Sequence, residues 1–198
     1  AMILNKTTLF SLFLFFILFS AQSQTADSLQ KRNFVKKTIL PATLISVGAL
    51  FTNSTFEKEF QTKIREKVGG DFQFKLDNYI QYAPIATMYV ANLAGIKGKN
   101  HWFDQTKNLL LANIISAGIT HGLKNVITKT RPNGLDHSFP SGHTTLAFTN
   151  AAVLFHEYRN NSSLIAYSGY AFAVTTGSLR ILNNRHWFSD VIVGAGIG

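Results

Sequence analysis

Four apolar segments constrain the fold of this chain more than any other feature of its sequence. Each carries few or no charged residues over about 15–18 positions, close to the lower limit for crossing a bilayer. They cover residues 79–96, 109–123, 144–158 and 163–179, and a fifth begins at Trp187 and is still apolar at Gly198. The pattern predicts an all-α, membrane-embedded helical bundle, with its last helix truncated at Gly198.

Composition narrows the possible functions. The 198 residues allow one domain with a leader, and 19 Lys and Arg against 10 Asp and Glu leave a net charge of +9. Charged residues make up only 15% of the chain, which argues against a nucleic-acid binder. The absence of cysteine excludes disulfides, a Cys-ligated zinc site and a thiol nucleophile.

The N-terminal part divides into a leader and a polar region. Lys6, an apolar run over 9–19 and small residues around Ala21 predict a signal peptide over residues 2–23, with an uncleaved membrane anchor as the alternative. Residues 24–78 follow as a basic stretch, a 13-residue apolar segment over 39–51, and an amphipathic helix near 57–68. Residues 79–198 are the predicted helical core.

Charged and polar residues gather where the apolar segments end. Lys124 and Arg131 follow the segment 109–123, Pro140-Ser141-Gly142-His143 precedes 144–158, and Arg180, His186 and Asp190 join the last two segments. An even number of predicted spans separates these three connections. They are therefore expected on the same face of the membrane, as a shared site requires.

The cationic residues suit a phosphate ester. Lys124, Arg131 and Arg180 supply positive charge, and the two guanidinium groups match a tetrahedral oxyanion in bidentate fashion. Ser141 and Gly142 follow a proline at a predicted helix start, where backbone N–H groups point at a bound anion. A glycine there also allows close approach of the ligand to the backbone.

The histidines suit nucleophilic and acid–base chemistry. His186 and Asp190 are four residues apart, which on a helix places the carboxylate beside one imidazole nitrogen and makes His186 a candidate nucleophile. His143 is a second imidazole, suited to protonating a leaving oxygen. Each residue alone has an ordinary structural interpretation, such as a basic side chain extending to the membrane interface. The joint pattern carries the functional hypothesis.

The three groups together resemble a known signature. Lys124-x6-Arg131-Pro132, Pro140-Ser141-Gly142-His143 and Arg180-x5-His186-x3-Asp190 match the three motifs of the type 2 phosphatidic acid phosphatase (PAP2) superfamily. That superfamily includes bacterial acid phosphatases, membrane lipid phosphatases and vanadium-dependent haloperoxidases. Asn183-Asn184-Arg185 and Trp187 further resemble the lipid A phosphatase-like members from Bacteroidetes-type bacteria. One position departs from the signature, because Leu179 replaces the serine that usually precedes the third-motif arginine.

The resemblance implies a fold of the PAP2/haloperoxidase type and a role for each matched residue. His186 would attack phosphorus and become phosphohistidine, Asp190 would stabilise its imidazolium, and His143 would protonate the leaving alcohol and later activate water. The phosphoryl oxygens would be held by Lys124, Arg131, Ser141, Gly142 and Arg180. No metal and no cofactor is expected. The roles of Arg185, which either extends the phosphate site or lies at the interface, and of Lys129 and Asp136, which either shape the loop or are solvated, stay open.

The expected substrate is a phosphorylated membrane lipid, as a monoester or a diphosphate. Lipid A, phosphatidylglycerol phosphate, undecaprenyl diphosphate and phosphatidic acid are all compatible with the sequence. The alternatives are a vanadium haloperoxidase-like oxidase and a non-catalytic lipid-phosphate binder or transporter. Because 39–51 is short for a span, the site is expected to face the periplasm from the bacterial inner membrane, with the lipid bilayer as a partner and no nucleic acid. The sequence leaves the oligomeric state open.

Overall fold

The helices of this protein form a single bundle. The computed structural model describes residues 28–198, with side chains from residue 35 onward, so the predicted signal peptide at 2–23 lies outside the described residues. All regular secondary structure within 28–198 is α-helical, which confirms the predicted all-α class. In chain order the helices of this part are α1 (Ser28–Phe51), α2 (Thr55–Val68), α3 (Asp77–Ile80), α4 (Ala83–Leu93), α5 (Trp102–Val126), α6 (Gly142–Tyr158), α7 (Ser163–Leu182) and α8 (Phe188–Ile197).

Helix boundaries differ from the apolar segments at several points. The 13-residue segment 39–51 is the second half of α1, and α5 has 25 residues instead of 15. Hydropathy alone underestimates the length of these helices, because polar residues extend a helix wherever one of its faces is packed. The segment 79–96 is divided between α3, which ends at Ile80, and α4, which begins at Ala83, since Pro84 has no N–H to bond the Ile80 carbonyl but fits the first turn of a new helix.

Within residues 28–198, no single helix has both the length and the hydropathy of a membrane span. Residues Val35–Phe51 and Thr55–Val68, which meet at an angle of 87°, reach them only as a bent pair.

Helix α6 is the centre of the bundle and contacts α4, α5, α7 and α8. Its tightest partner is α7, against which Ala147 and Ala151 pack beside Ala173. A Cβ atom at Gly169 of α7 would lie 3.0 Å from Cα of Ala151, so this glycine is needed for the close approach of the two helices. Small side chains thus allow α6 and α7 to pack as a tight antiparallel pair.

Helix α8 lies between α1 and α6. At the contact with α1, a Cβ at Gly48 would lie 2.5 Å from Cγ2 of Val193, so the two backbones are too close for a larger residue. The Ser141 N–H donates to the Asp190 carbonyl at 3.0 Å and ties the start of α6 to the start of α8. The starts of α6 and α8 and the ends of α5 and α7 therefore share one end of the bundle, which agrees with the counting of segments.

The predicted amphipathic helix is α2, and its polar face points inward. Ser54 caps it by accepting from the Glu57 N–H at 3.1 Å. Gln61 donates to the Ile181 carbonyl at 3.1 Å and Arg65 donates to the Leu182 carbonyl at 2.8 Å. Glu57, Gln61 and Arg65 are spaced by four residues, so one polar stripe of α2 packs against the end of α7 and the start of α8.

Candidate active site

The eight predicted site residues meet at the end of the bundle where α5 and α7 end and α6 and α8 begin. Four helices contribute most of them, and the loops supply the other two. Lys124 lies in the last turn of α5, Ser141 to His143 at the start of α6, Arg180 near the end of α7, and Asp190 in the first turn of α8, while Arg131 and His186 lie in the connecting loops.

His186 and Asp190 form the pair expected from their spacing, but not on a shared helical face. His186 precedes α8, whose N-cap is Trp187, so the prediction of one helical face is wrong. The residues 183–187 form a turn instead, in which the Arg180 carbonyl accepts from the N–H groups of Arg185 and His186. His186 Nδ1 lies 3.5 Å from Asp190 Oδ2, which leaves Nε2 as the nitrogen directed away from the carboxylate.

Asp190 is completely buried and all its other contacts fix its orientation. Oδ1 accepts from Lys129 Nζ at 2.8 Å. Oδ2 accepts from the Trp187 N–H at 2.9 Å and from the Ser138 hydroxyl. The carboxylate therefore faces His186 in a single defined orientation.

His143 faces the same end of the site from the first turn of α6. Its Nε2 lies 3.2 Å from Oδ1 of Asn78. Burial and the neighbouring positive charge of Arg180 lower the pKa of His143 to about 4. Burial likewise lowers the pKa of His186 to about 4, against the opposing effect of Asp190. Both imidazoles are therefore neutral at pH 7 in the ligand-free protein.

The three predicted cations lie close enough for their charges to act on one another. Burial is the main cause that lowers the pKa of Lys124 to about 8, and the charge of Arg131 adds to it. The pKa values of Arg131 and Arg180 are also lowered, first by burial, and the charge of Arg185 contributes to both. The Nε atoms of Arg131 and Arg180 are buried without a hydrogen-bond partner. Buried N–H donors in a cluster of like charges are the arrangement that a bound oxyanion would stabilise.

One of these cations has a fixed counter-ion. Arg180 Nη1 donates to Asp77 Oδ2 at 2.6 Å, and Asn183 donates to Oδ1 of the same carboxylate at 3.2 Å. Asp77 is 1% exposed and belongs to α3. The carboxylate therefore holds Arg180 from the side of α3 and leaves its Nε for another acceptor.

Ser141 and Gly142 contribute less freely than the sequence suggests. The Ser141 N–H already donates to Asp190, and the Ser141 hydroxyl accepts from Thr144 Oγ1 at 2.8 Å as part of the helix cap. The Phe139–Pro140 peptide bond before it is cis. A Cβ at Gly142 would meet only ordinary contacts, at 3.9 Å from Thr120 and 4.0 Å from Lys124, so packing alone does not require glycine there. The N–H groups of Gly142 and His143 in the first turn have no acceptor within the helix.

Two adjoining cavities lie at this end of the bundle. The first, of about 250 Å³, is lined by His143 and Arg180 of the predicted site, with Asp77 and its neighbours in the segment 73–78 on the other side. The second, of about 220 Å³, is lined by Arg65 and Asn133. Gln73, Asn183 and Arg185 line both cavities, so they form one continuous polar cleft.

Sequence reasoning missed three charged residues that surround the site. Asp77 gave no recognisable signal, and Glu57 gave only that of a helix start, since Ser54 and Glu57 have the spacing of a capping box. Lys129, for which a solvated position stayed open, is 5% exposed and bound to Asp190, whereas Asp136 is exposed. Among residues 28–198 no group of three or more His, Cys, Asp or Glu side chains is arranged to hold a metal ion.

Comparisons with known proteins agree with the motifs. Residues 105–198 match the PAP2 superfamily. The chain is 37% identical over 139 residues to a lipid A 1-phosphatase of Porphyromonas gingivalis, a match that covers 69% of this chain and 31% of that protein. It is 38% identical over 61 residues to an acid phosphatase of Zymomonas mobilis subsp. mobilis, covering 31% of this chain and 22% of that protein. The chain thus spans less than a third of the length of these curated relatives.

A solved structure also resembles the fold. The crystal structure of Aquifex aeolicus LpxE superposes with a TM-score of 0.48 at 24% identity, covering 77% of this chain and 87% of that one. The matched family region contains all three motifs and all eight predicted site residues. Residues 105–198 of this chain are therefore a domain of the PAP2 superfamily.

Proposed function

We propose that this protein is a metal-independent phosphatase that hydrolyses a phosphate monoester or diphosphate of a membrane lipid through a phosphohistidine intermediate. One observation carries the proposal: the His186–Asp190 pair is buried beside a cluster of cations in which two arginine Nε atoms lack partners. A tetrahedral phosphate would supply the missing acceptors and the missing negative charge.

In the first step, His186 Nε2 attacks the phosphorus atom and the bond from phosphorus to the ester oxygen breaks. The leaving oxygen takes a proton from His143, which lines the cavity beside Arg180. Asp190 accepts the Nδ1–H of His186 and stabilises the positive imidazole as the new P–N bond forms. The 3.5 Å separation of Nδ1 and Oδ2 is expected to shorten at that stage.

In the second step, a water molecule gives a proton to His143 and attacks the phosphorus of phosphohistidine. The P–N bond breaks, its electron pair returns to His186, and inorganic phosphate leaves. Lys124, Arg131 and Arg180 stabilise the negative charge that develops on the phosphoryl oxygens in both steps. The free Ser141 hydroxyl proton and the N–H of Gly142 are the neutral donors proposed for the same oxygens.

The protonation states fit this order of events. His186 with a pKa of about 4 has an unprotonated nitrogen at pH 7, as a nucleophile requires. His143 has a similarly low pKa in the ligand-free protein, chiefly because of burial and then of Arg180. A phosphate bound between these groups adds negative charge beside His143. Its pKa is therefore expected to rise on binding, which supplies the proton for the leaving oxygen.

The exposed surface supports a lipid substrate and a position in the bacterial inner membrane. Leu110, Leu111, Ile114, Ile115 and Ile119 of α5 are each 46–62% exposed, and Leu93 and Leu164 exceed 80%. Exposed apolar patches of this extent are unusual on proteins that contact only water. We propose that hydrocarbon covers them, with the active site on the periplasmic face as the sequence predicts.

The cleft leaves room for more of the head group than the reacting phosphate. The second cavity places Arg65 and Arg185 beside Asn133, where they can bind sugar hydroxyls or a further phosphate. The similarity to the Porphyromonas lipid A 1-phosphatase favours lipid A over the three other candidate lipids. The phosphate at the 1-position of lipid A is therefore the preferred substrate.

A phosphate-release assay tests the proposal. The purified full chain in detergent is given lipid A, phosphatidylglycerol phosphate, undecaprenyl diphosphate and phosphatidic acid in parallel, with and without EDTA, and the His186→Ala variant is the background. We expect EDTA-resistant release that is fastest from lipid A. Release from no lipid would contradict the proposal, and halide oxidation that depends on added vanadate would indicate the haloperoxidase-like alternative.

A further inference from the structure

A buried ion network lies behind the proposed nucleophile. It joins Glu57 of α2, Lys129 of the loop after α5 and Asp190 of α8, which are 1%, 5% and 0% exposed. Only Lys129 and Asp190 lie within the matched family region, and Glu57 precedes it by almost fifty residues. The site of the family domain is therefore contacted by a charge from outside the matched region.

The ammonium group of Lys129 has no donor left for a ligand. Its Nζ lies 3.0 Å from both carboxylate oxygens of Glu57, 2.7 Å from Ser189 Oγ and 2.8 Å from Asp190 Oδ1. An ammonium has three N–H donors, and these three partners use all of them. Lys129 thus binds the residues behind the nucleophile, whereas Lys124 Nζ donates to the His137 carbonyl at 2.8 Å and has donors left for a ligand.

Glu57 is equally saturated. Its carboxylate accepts from the Asn53 N–H at 2.9 Å, from the Ser189 N–H at 3.1 Å, and from the Ser189 hydroxyl. These bonds join the start of α2 to the first turn of α8. Because both carboxylate partners of Lys129 accept from backbone N–H groups, the ammonium is fixed in place and in turn fixes Asp190.

The charges of the network matter for the reaction. Glu57 and Asp190 are negative and Lys129 is positive, so the three carry a net charge of −1 next to His186. Without Glu57, Lys129 would cancel the charge of Asp190, and a positive imidazole at His186 would lose its counter-charge. Removing one member of a buried ion network generally leaves its partner uncompensated, which is costly in a low-dielectric interior.

We propose that Glu57 and Lys129 are positioning residues for phosphoryl transfer, which orient Asp190 and preserve the negative charge that stabilises His186 as it is phosphorylated. The proposal rests on the proposed phosphatase function. It assigns to α2, outside the matched region, a part in the chemistry of the domain that acts through Lys129 and Asp190. Neither residue contacts the phosphate.

The test separates turnover from phosphate binding. Glu57→Gln keeps the shape of the side chain and removes its charge, and Glu59→Gln, an exposed glutamate on the same helix, is the matched control. We expect kcat of Glu57→Gln on the best lipid substrate to fall roughly 10- to 100-fold, the range typical when a residue that orients a reacting group is lost. KM and inhibition by orthovanadate, a phosphate analogue, should stay within about threefold.

A double variant checks that both residues act through Asp190. Glu57→Gln with Lys129→Met should lose no more kcat than the more impaired single variant, because coupled residues are not additive. Losses that multiply would contradict a shared route through Asp190. If Glu57→Gln does not fold, Ser189→Ala removes one partner of Lys129 with a smaller change. It should likewise lower kcat while leaving KM and inhibition by orthovanadate nearly unchanged.

Three results would overturn the inference. One is a kcat of Glu57→Gln equal to that of Glu59→Gln. Another is a parallel loss of kcat, vanadate affinity and thermal stability, which would indicate a purely structural network. A wild-type protein and Glu59→Gln that both release no phosphate would overturn the proposed function itself, and the positioning role with it.

Discussion

The two ends of the bundle both bury carboxylates, but they neutralise them differently. At the site end, Asp77 and Asp190 are bound by the cations Arg180 and Lys129. At the opposite end, Glu157 of α6 is 4% exposed, and its hydrogen-bond donors within the described part of the chain are neutral, including the Asn100 N–H at 2.9 Å and the Asn100 side-chain amide at 2.7 Å. The site end thus pairs its buried carboxylates with cations, whereas the far end binds its buried carboxylate with amide groups.

The hydrogen bonds around Glu157 hold the loop between α4 and α5 in place. Lys99 N–H donates to the Glu157 carbonyl at 2.8 Å, and Gln105 bonds both the Asn100 carbonyl and the Asn92 side chain. These bonds secure the connection between α4 and α5 against the end of α6. Buried ion pairs are expensive to form, and neutral hydrogen bonds suffice where only the backbone has to be held. Among residues 35–198, the buried cations, Lys129 and Arg180, both lie at the site end.

Removal of the proposed nucleophile should have the largest effect. His186→Ala should lower phosphate release at least about 1000-fold, because no other group replaces the attacking nitrogen. His156→Ala, at an exposed histidine near the far end, should leave activity unchanged. Steady-state phosphate release measures both. Near-normal turnover of His186→Ala would contradict the phosphohistidine mechanism.

A smaller effect is expected from the counter-ion of the phosphate site. Asp77→Asn keeps a hydrogen-bond acceptor for Arg180 but removes the charge that holds it, so KM should rise roughly 10-fold with a lesser change in kcat. Asp71→Asn, at an exposed aspartate in the preceding segment, is the control. The opposite pattern is expected for Glu57→Gln, in which kcat should fall while KM stays nearly unchanged. Identical splits for the two variants would remove the distinction between the two ion pairs.

The pH dependence of kcat/KM should report the protonation state of Lys124. Its pKa is lowered to about 8, mainly by burial, and only the charged form attracts phosphate. As the pH rises through that value, Lys124 loses its proton and kcat/KM should fall about threefold to tenfold. Lys124→Arg should move this fall to higher pH, since a guanidinium keeps its proton. An unchanged alkaline limb in Lys124→Arg would show that another group titrates there.

The smallest effect on activity is expected at the far end. Glu157→Gln places an amide N–H₂ beside donors that now face a carboxylate oxygen, so the free energy of unfolding should fall by about 1–3 kcal/mol. Activity per folded molecule should stay within about twofold. Thermal unfolding in detergent and phosphate release at a low temperature test the two parts separately. A large loss of kcat in stably folded Glu157→Gln would show that the two ends are coupled.

The motif residues could be predicted because their chemistry is local and their order is linear. Segment counting correctly placed the ends of α5 and α7 with the start of α6, since antiparallel helices joined by short connections return to the same end. Fine geometry could not be predicted in this way. The His186–Asp190 pair was expected, but it forms through the turn before α8 and not along a helix. The break of the segment 79–96 at residues 81–82 separates from α4 the short helix α3, whose Asp77 binds Arg180.

Hydropathy and spacing are properties of neighbouring residues, so the helical class, the three motifs and the residue types that a phosphate would contact could be predicted from the sequence. The side chains that hold those motifs in place are distant along the chain and are seen only in the folded protein. Glu57 and Lys129 are separated by 72 residues, and Asp77 and Arg180 by 103. Their pairing depends on how α2 and α3 pack against the end of the bundle, since a buried charge is stable only with a counter-ion beside it.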